Sequence, residues 1–193
     1  MSDRPDYYGA TNAAYRLLLR SGVADLPVPV EQLVRNLSLL RTVTYTDLCL
    51  KMGIDRNELY SFIPSEKGYL VRDSRNKRGI IFYEDLNDSG IIRFTLAHEL
   101  GHYVLEHTVD SLLSEREANC FARNLICPVP VSDLFQLNGA GDFCSMFGIT
   151  PPAAEVAVDK RPTDFWHINE SNYSGIRGLF RQRTDRTLSS AVY

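Results

Sequence analysis

The residues with the most chemistry in them stand in one short run, His98-Glu99-Leu100-Gly101-His102, inside the stretch Arg93 to His107. An α-helix turns about 100° per residue, so His98 and His102 return to within about 40° of one another. One turn apart on one face, two imidazoles can close on a single divalent ion at about 2.0–2.1 Å. Glu99 lies about 100° round the helix from His98, beside such an ion and not under it. Its carboxylate is placed to take a proton from an activated water, the general-base role. The H-E-x-x-H spacing therefore predicts metal at His98 and His102 and a catalytic Glu99.

A catalytic zinc takes three protein ligands and keeps one position for water. On a continuous helix His107 would stand about 140° from His102 and nearly opposite His98, and Glu106 would lie about 12 Å along the axis from His98. That geometry excludes both. The stretch Ser114-Glu-Arg-Glu-Ala-Asn-Cys-Phe-Ala122 offers Glu115 and Glu117 from a second helix returning antiparallel. Glu115 is favoured as third ligand, because Asn119 lies one turn further on the same face, where it can hydrogen-bond the ligand set from behind. Glu117 aligns with Phe121 on the core side and is the alternative.

These residues need elements to hold them. Phe94, Ala97, Gly101, Val104 and Leu105 form an apolar stripe that would seat the central helix in a core. Upstream, Ala10 to Arg20 reads as a helix closed by Ser21-Gly22, Val30 to Leu37 as a second helix, and Arg41 to Thr46 as a strand. Thr46 to Pro64 has a helix–turn–helix look, with Gly53 ending one helix and Asp55 capping the next. Its mixed charges favour a packed hairpin over a DNA-reading one. Lys67 to Asp73 and Arg78 to Glu84 read as a β-hairpin joined by Ser74 to Lys77. The second of these strands runs straight towards the histidine helix, and its edge is expected to be available to an extended peptide. Asp88 or Ser89 is the expected cap of that helix. Downstream come a helix from Leu112 to Leu125, Pro128 as its stop, and a short helix from Val131 to Leu137. A second helical hairpin spans Phe143 to Lys160 around Gly148-Ile-Thr150, with Pro151 in its first turn. Periodicity then fades. The expected organisation is an α+β domain over residues 1–165, its small antiparallel or mixed sheet packed on the histidine helix with further helices around it. Residues 166–193, carrying Arg177, Arg181, Arg183 and Arg186, are expected as a loosely attached tail.

With 193 residues, 44% of them hydrophobic, the chain is long enough to bury a core, and a net charge of −3 argues against a protein built to neutralise phosphates. Cys49, Cys120, Cys127 and Cys144 show no C-x-x-C spacing and read as reduced thiols. The polar opening Met1-Ser-Asp and the lack of a long apolar run predict a cytoplasmic protein without membrane or direct nucleic-acid contact.

Phe94-Thr-Leu-Ala-His-Glu-Leu-Gly-His102, followed by Glu115-Arg-Glu-Ala-Asn-Cys-Phe-Ala-Arg-Asn-Leu-Ile-Cys-Pro128, resembles the ImmA/IrrE-type metallopeptidases. The order of elements from about Ala10 to Arg161 is similar to theirs as well. The resemblance implies a zincin-like fold and a gluzincin-like Zn²⁺ site, other divalent metals being possible, with His98, His102 and Glu115 as ligands and Glu99 as base. It also implies a protein substrate, a helix–turn–helix repressor controlling a mobile element or a stress response. Tyr103, His167 and Tyr173 are candidate donors to the oxyanion that peptide hydrolysis creates. The competing expectations are a metal-containing regulatory protein that binds a repressor or DNA without cutting, and one half of a toxin–antitoxin pair.

Overall fold

The computed structural model describes residues 4–73 and 75–190, with side chains up to Gln182. Ser74 of the expected hairpin loop, the opening Met1-Ser-Asp, and the side chains of Arg183 and Arg186 lie outside the described residues. The chain opens with α1 (Tyr7–Ser21), α2 (Val30–Arg35), β1 (Leu40–Thr44), α3 (Tyr45–Met52) and α4 (Arg56–Tyr60). There follow β2 (Gly68–Asp73), β3 (Arg78–Tyr83), α5 (Ser89–Val104) and α6 (Leu112–Ile126). The last four helices are α7 (Val129–Leu134), α8 (Ala140–Phe147), α9 (Pro151–Phe165) and α10 (Glu170–Ser190). The class is α+β with a small mixed sheet, as expected.

The sheet has the order β1-β3-β2. β3 pairs parallel with β1, Leu40 opposite Gly79, and antiparallel with β2, Gly68 opposite Tyr83. The strand leading to α5 is therefore central and has both edges occupied. Among the described residues, the strand with an unpaired edge beside α5 is β2, which corrects the expectation attached to Arg78–Glu84.

Between β1 and β2 the chain makes the α3–α4 hairpin at the expected positions. The Thr44 hydroxyl accepts from the Asp47 N–H at 2.9 Å and starts α3. Gly53, at φ 69°, ends it in the left-handed region that glycine enters without steric cost. Asp55 accepts from the Glu58 N–H at 2.9 Å and starts α4. The hairpin is pinned shallowly: Tyr45 and Leu59 are buried, while Leu50, Met52 and Phe62 face solvent. Arg56 reaches Glu84 at 3.1 Å, Tyr60 hydrogen-bonds the same carboxylate, and the Tyr45 hydroxyl donates to the Ser65 carbonyl at 2.5 Å. These contacts tie residues 64–65 to the end of the sheet.

α5 is buried round more of its circumference than the expected stripe. Leu96, Ala97, Leu100 and Gly101 are buried, whereas Phe94, Val104 and Leu105 are only partly covered. Asp88 stands at its N-cap position without a capping side-chain bond. Ser111 and Ser114 start α6 with a reciprocal capping pair. α10 takes the place of the expected loose tail: it packs on α1 and α7 and buries Ile176 and Phe180.

Candidate metal centre

α5 and α6 set the site because they pack closely. A Cβ at Gly101 would meet the Ala118 Cα at 3.2 Å and the Phe121 Cδ1 at 3.1 Å, so two small residues let the helix backbones approach. One turn beyond Ala118 towards the start of α6, Glu115 reaches across to α5. Its carboxylate oxygens stand 3.4 Å from His98 Nε2 and 3.2 Å from His102 Nε2, and the two Nε2 atoms are 3.1 Å apart. Ligands at about 2.0–2.1 Å in a tetrahedral shell lie about 3.3 Å from one another. The three donors thus have the spacing a shared cation requires.

The other ring nitrogens bear this out chemically. His98 Nδ1 lies 3.1 Å from Asn119 Oδ1, and His102 Nδ1 lies 3.0 Å from a ring nitrogen of His107. An Nδ1–H donated to Asn119 leaves His98 Nε2 as a lone pair facing Glu115. Burial lowers the pKa of His98, and burial with its histidine neighbours brings His102 down to about 4. Both rings are neutral at pH 7, the state in which imidazole ligates. The donor set fits a divalent metal.

Glu99 takes no part in this trio. It is 9% exposed, lines the same cleft, and has its pKa raised to about 7 by burial first and by the charge of Glu115 second. The backbone of Leu70 on β2 hydrogen-bonds to it and pulls the other way.

The cleft encloses about 640 Å³. His98, Glu99 and His102 form one wall, β2 from Gly68 to Leu70 with Arg72 forms another, and Pro64-Ser65 closes an end. Arg72 runs over the Tyr103 ring at 5.5 Å and reaches Glu106 at 3.5 Å, yet its buried Nε and Nη1 have no hydrogen-bond partner among the described residues.

Of the expected residues, His98, His102 and Glu115 come together, Glu99 stands beside them, and Asn119 backs His98. Glu117 does not face the core as its alignment with Phe121 predicts; it accepts from His107 Nε2 at 2.9 Å and from the Asp6 N–H at 2.7 Å. His107 stays outside the trio, but the premise that excluded it was wrong. α5 stops at Val104, Glu106 adopts φ 58°, and the His107 N–H returns to the His102 carbonyl at 3.1 Å. The three proposed oxyanion donors lie off the cleft. The Tyr103 hydroxyl donates to the Lys77 carbonyl, that of Tyr173 to Asp133, and His167 packs against Tyr7. Tyr69 and Arg72 line the cleft instead, and neither was singled out from the sequence. Their signal was the strand two elements before the histidine helix.

A histidine pair one turn apart, a glutamate from the next helix and a strand edge along the cleft make an arrangement of the metallopeptidase class. Residues 56–132 match the profile of peptidase family M78, the IrrE N-terminal-like domain. The match runs from α4 into α7 and contains every residue of the trio together with Glu99, Asn119, His107 and Glu117. No curated protein matches the chain. Among the described residues no helix is long and apolar enough to cross a membrane.

Proposed function

We propose that this protein is a zinc-dependent endopeptidase that hydrolyses a peptide bond in a protein partner. The observation that carries the reading is Glu99, a buried carboxylate in an open cleft beside three metal-type donors and not one of them. A purely structural zinc site closes its shell with four protein ligands and needs no such neighbour. His98, His102 and Glu115 would hold the ion. A bound zinc supplies acidity to a water and polarises the scissile carbonyl.

The chain's own residues do the rest. Glu99 accepts the proton of the attacking water and delivers it to the departing amine, and a carboxyl tuned near neutral pH suits both halves of that task. The unpaired edge of β2 supplies backbone donors and acceptors along the cleft, where an extended peptide can add as a further strand. Arg72 and Tyr69, which line the cleft, are the candidate donors to a developing oxyanion. The substrate that the family resemblance supports is a helix–turn–helix repressor governing a mobile element or a stress response.

Glu99→Gln tests the reading. The variant should bind zinc as the unaltered protein does and leave a helix–turn–helix repressor substrate intact after hours, while the unaltered protein cuts it. Cleavage at an undiminished rate by the variant would remove Glu99 as base.

A further inference from the structure

Behind His102 stands a chain of contacts that peptide hydrolysis itself does not use. His107 Nδ1 faces His102 Nδ1 at 3.0 Å, His107 Nε2 faces Glu117 Oε2 at 2.9 Å, and Glu117 Oε1 accepts the Asp6 N–H at 2.7 Å. The path runs from the N-cap of α1, through α6 and the turn after α5, to a histidine of the trio. Both linking side chains are largely covered, His107 at 12% and Glu117 at 20% exposure. We infer that His107 and Glu117 are positioning residues, a directional hydrogen-bond relay that fixes His102 in the tautomer able to bind metal through Nε2.

Proton counting gives the direction. A carboxylate can only accept, and Glu117 accepts from the Asp6 N–H on one oxygen. Its other oxygen therefore requires the hydrogen of His107 on Nε2. When the His107 ring is neutral, its Nδ1 then carries a lone pair. Since one hydrogen lies between the two facing Nδ1 atoms, it belongs to His102. His102 Nε2 is left as a lone pair, and it is the atom 3.2 Å from Glu115 and 3.1 Å from His98 Nε2. Reversing any link would put a hydrogen on His102 Nε2 and remove it from the donor set. His98 has a neutral amide, Asn119, at the corresponding place; His102 has an anion at the end of a two-step relay. The anionic end also raises the basicity of the ligating nitrogen.

The inference rests on the metal site proposed above, so its test separates the two. The probes are zinc alone, titrated against a competing chelator, and ¹⁵N NMR of the imidazole nitrogens in metal-free protein. Glu117→Gln is the informative variant. The Asp6 N–H holds the amide oxygen, which turns the NH₂ towards His107 and forces the reversed relay. Zinc affinity should fall by about 10–100-fold, the range for partners that orient a metal ligand. The NMR spectrum of the unaltered protein should place the hydrogens on His102 Nδ1 and His107 Nε2, and that of Glu117→Gln on His102 Nε2 and His107 Nδ1. His107→Phe, which keeps a planar ring and removes the acceptor, should also weaken zinc. The NMR arm on the unaltered protein needs no variant to fold. Hydrogens on His102 Nε2 and His107 Nδ1 in the unaltered protein, or undiminished zinc affinity in folded Glu117→Gln, overturn the relay. If the unaltered protein takes up no zinc, the metal reading fails while the tautomers still report on the relay.

Discussion

Among the helix pairs that fold back on themselves, α5 with α6 and α8 with α9 use their interiors differently. α8 and α9 turn at Gly148-Ile149-Thr150 and face each other with apolar fill, burying Phe143, Phe147, Ala154 and Ala157. Phe143 and Phe147 meet edge to face at 5.3 Å. α5 and α6 meet through Gly101, Ala118 and Phe121, and turn His98, His102 and Glu115 towards the cleft. In the first pair the interior is the purpose. In the second, a small close contact is the hinge that aims polar groups. A helical hairpin becomes a site when its tightest contact is next to its donors and its open end is lined by a strand edge.

The contrast predicts which substitutions cost stability and which cost metal. The largest effect on stability belongs to α8: Phe147→Ala should lower the unfolding free energy by about 3–5 kcal/mol. Denaturant melts of the metal-free protein would measure this, and zinc affinity of the folded fraction should not change. A tenfold loss of zinc affinity in that variant would mean that the two pairs are coupled. Gly101→Val should do both kinds of damage. Its added atoms press on Ala118 and Phe121, costing about 1–3 kcal/mol and parting the helices. Zinc competition should then show at least a tenfold loss, with Gly101→Ala intermediate. The smallest effect on stability is expected at Asn119→Ala, which leaves melting untouched and weakens zinc by about 10–100-fold through the freed His98 ring.

Much of this was legible in the letters. The H-E-x-x-H pair follows from helical spacing, Glu115 was favoured over Glu117 because Asn119 lies one turn further on, and the α3–α4 and α8–α9 turns follow from the capping chemistry of Gly53, Asp55 and Gly148. What escaped depended on breaks and distances that no local pattern carries. His107 returns to His102 because a non-glycine residue, Glu106, turns left-handed just past the helix end. Glu117 looks like a core-side helix position until Asp6, 111 residues away, presents its N–H. The free edge fell to β2 because β1 pairs parallel with β3, a long-range choice. α10 was hidden by its arginines, although Ile176 and Phe180 stand at the four-residue spacing of a buried stripe.

The central claim is that three side chains from two helices hold one ion. Its most direct test is native mass spectrometry of zinc-loaded protein, the unaltered chain beside Glu115→Ala. One zinc per unaltered chain is expected, with a metal-free mass for the variant under the same chelator wash. A full complement of zinc in Glu115→Ala would contradict it, and would send the third ligand elsewhere in the cleft.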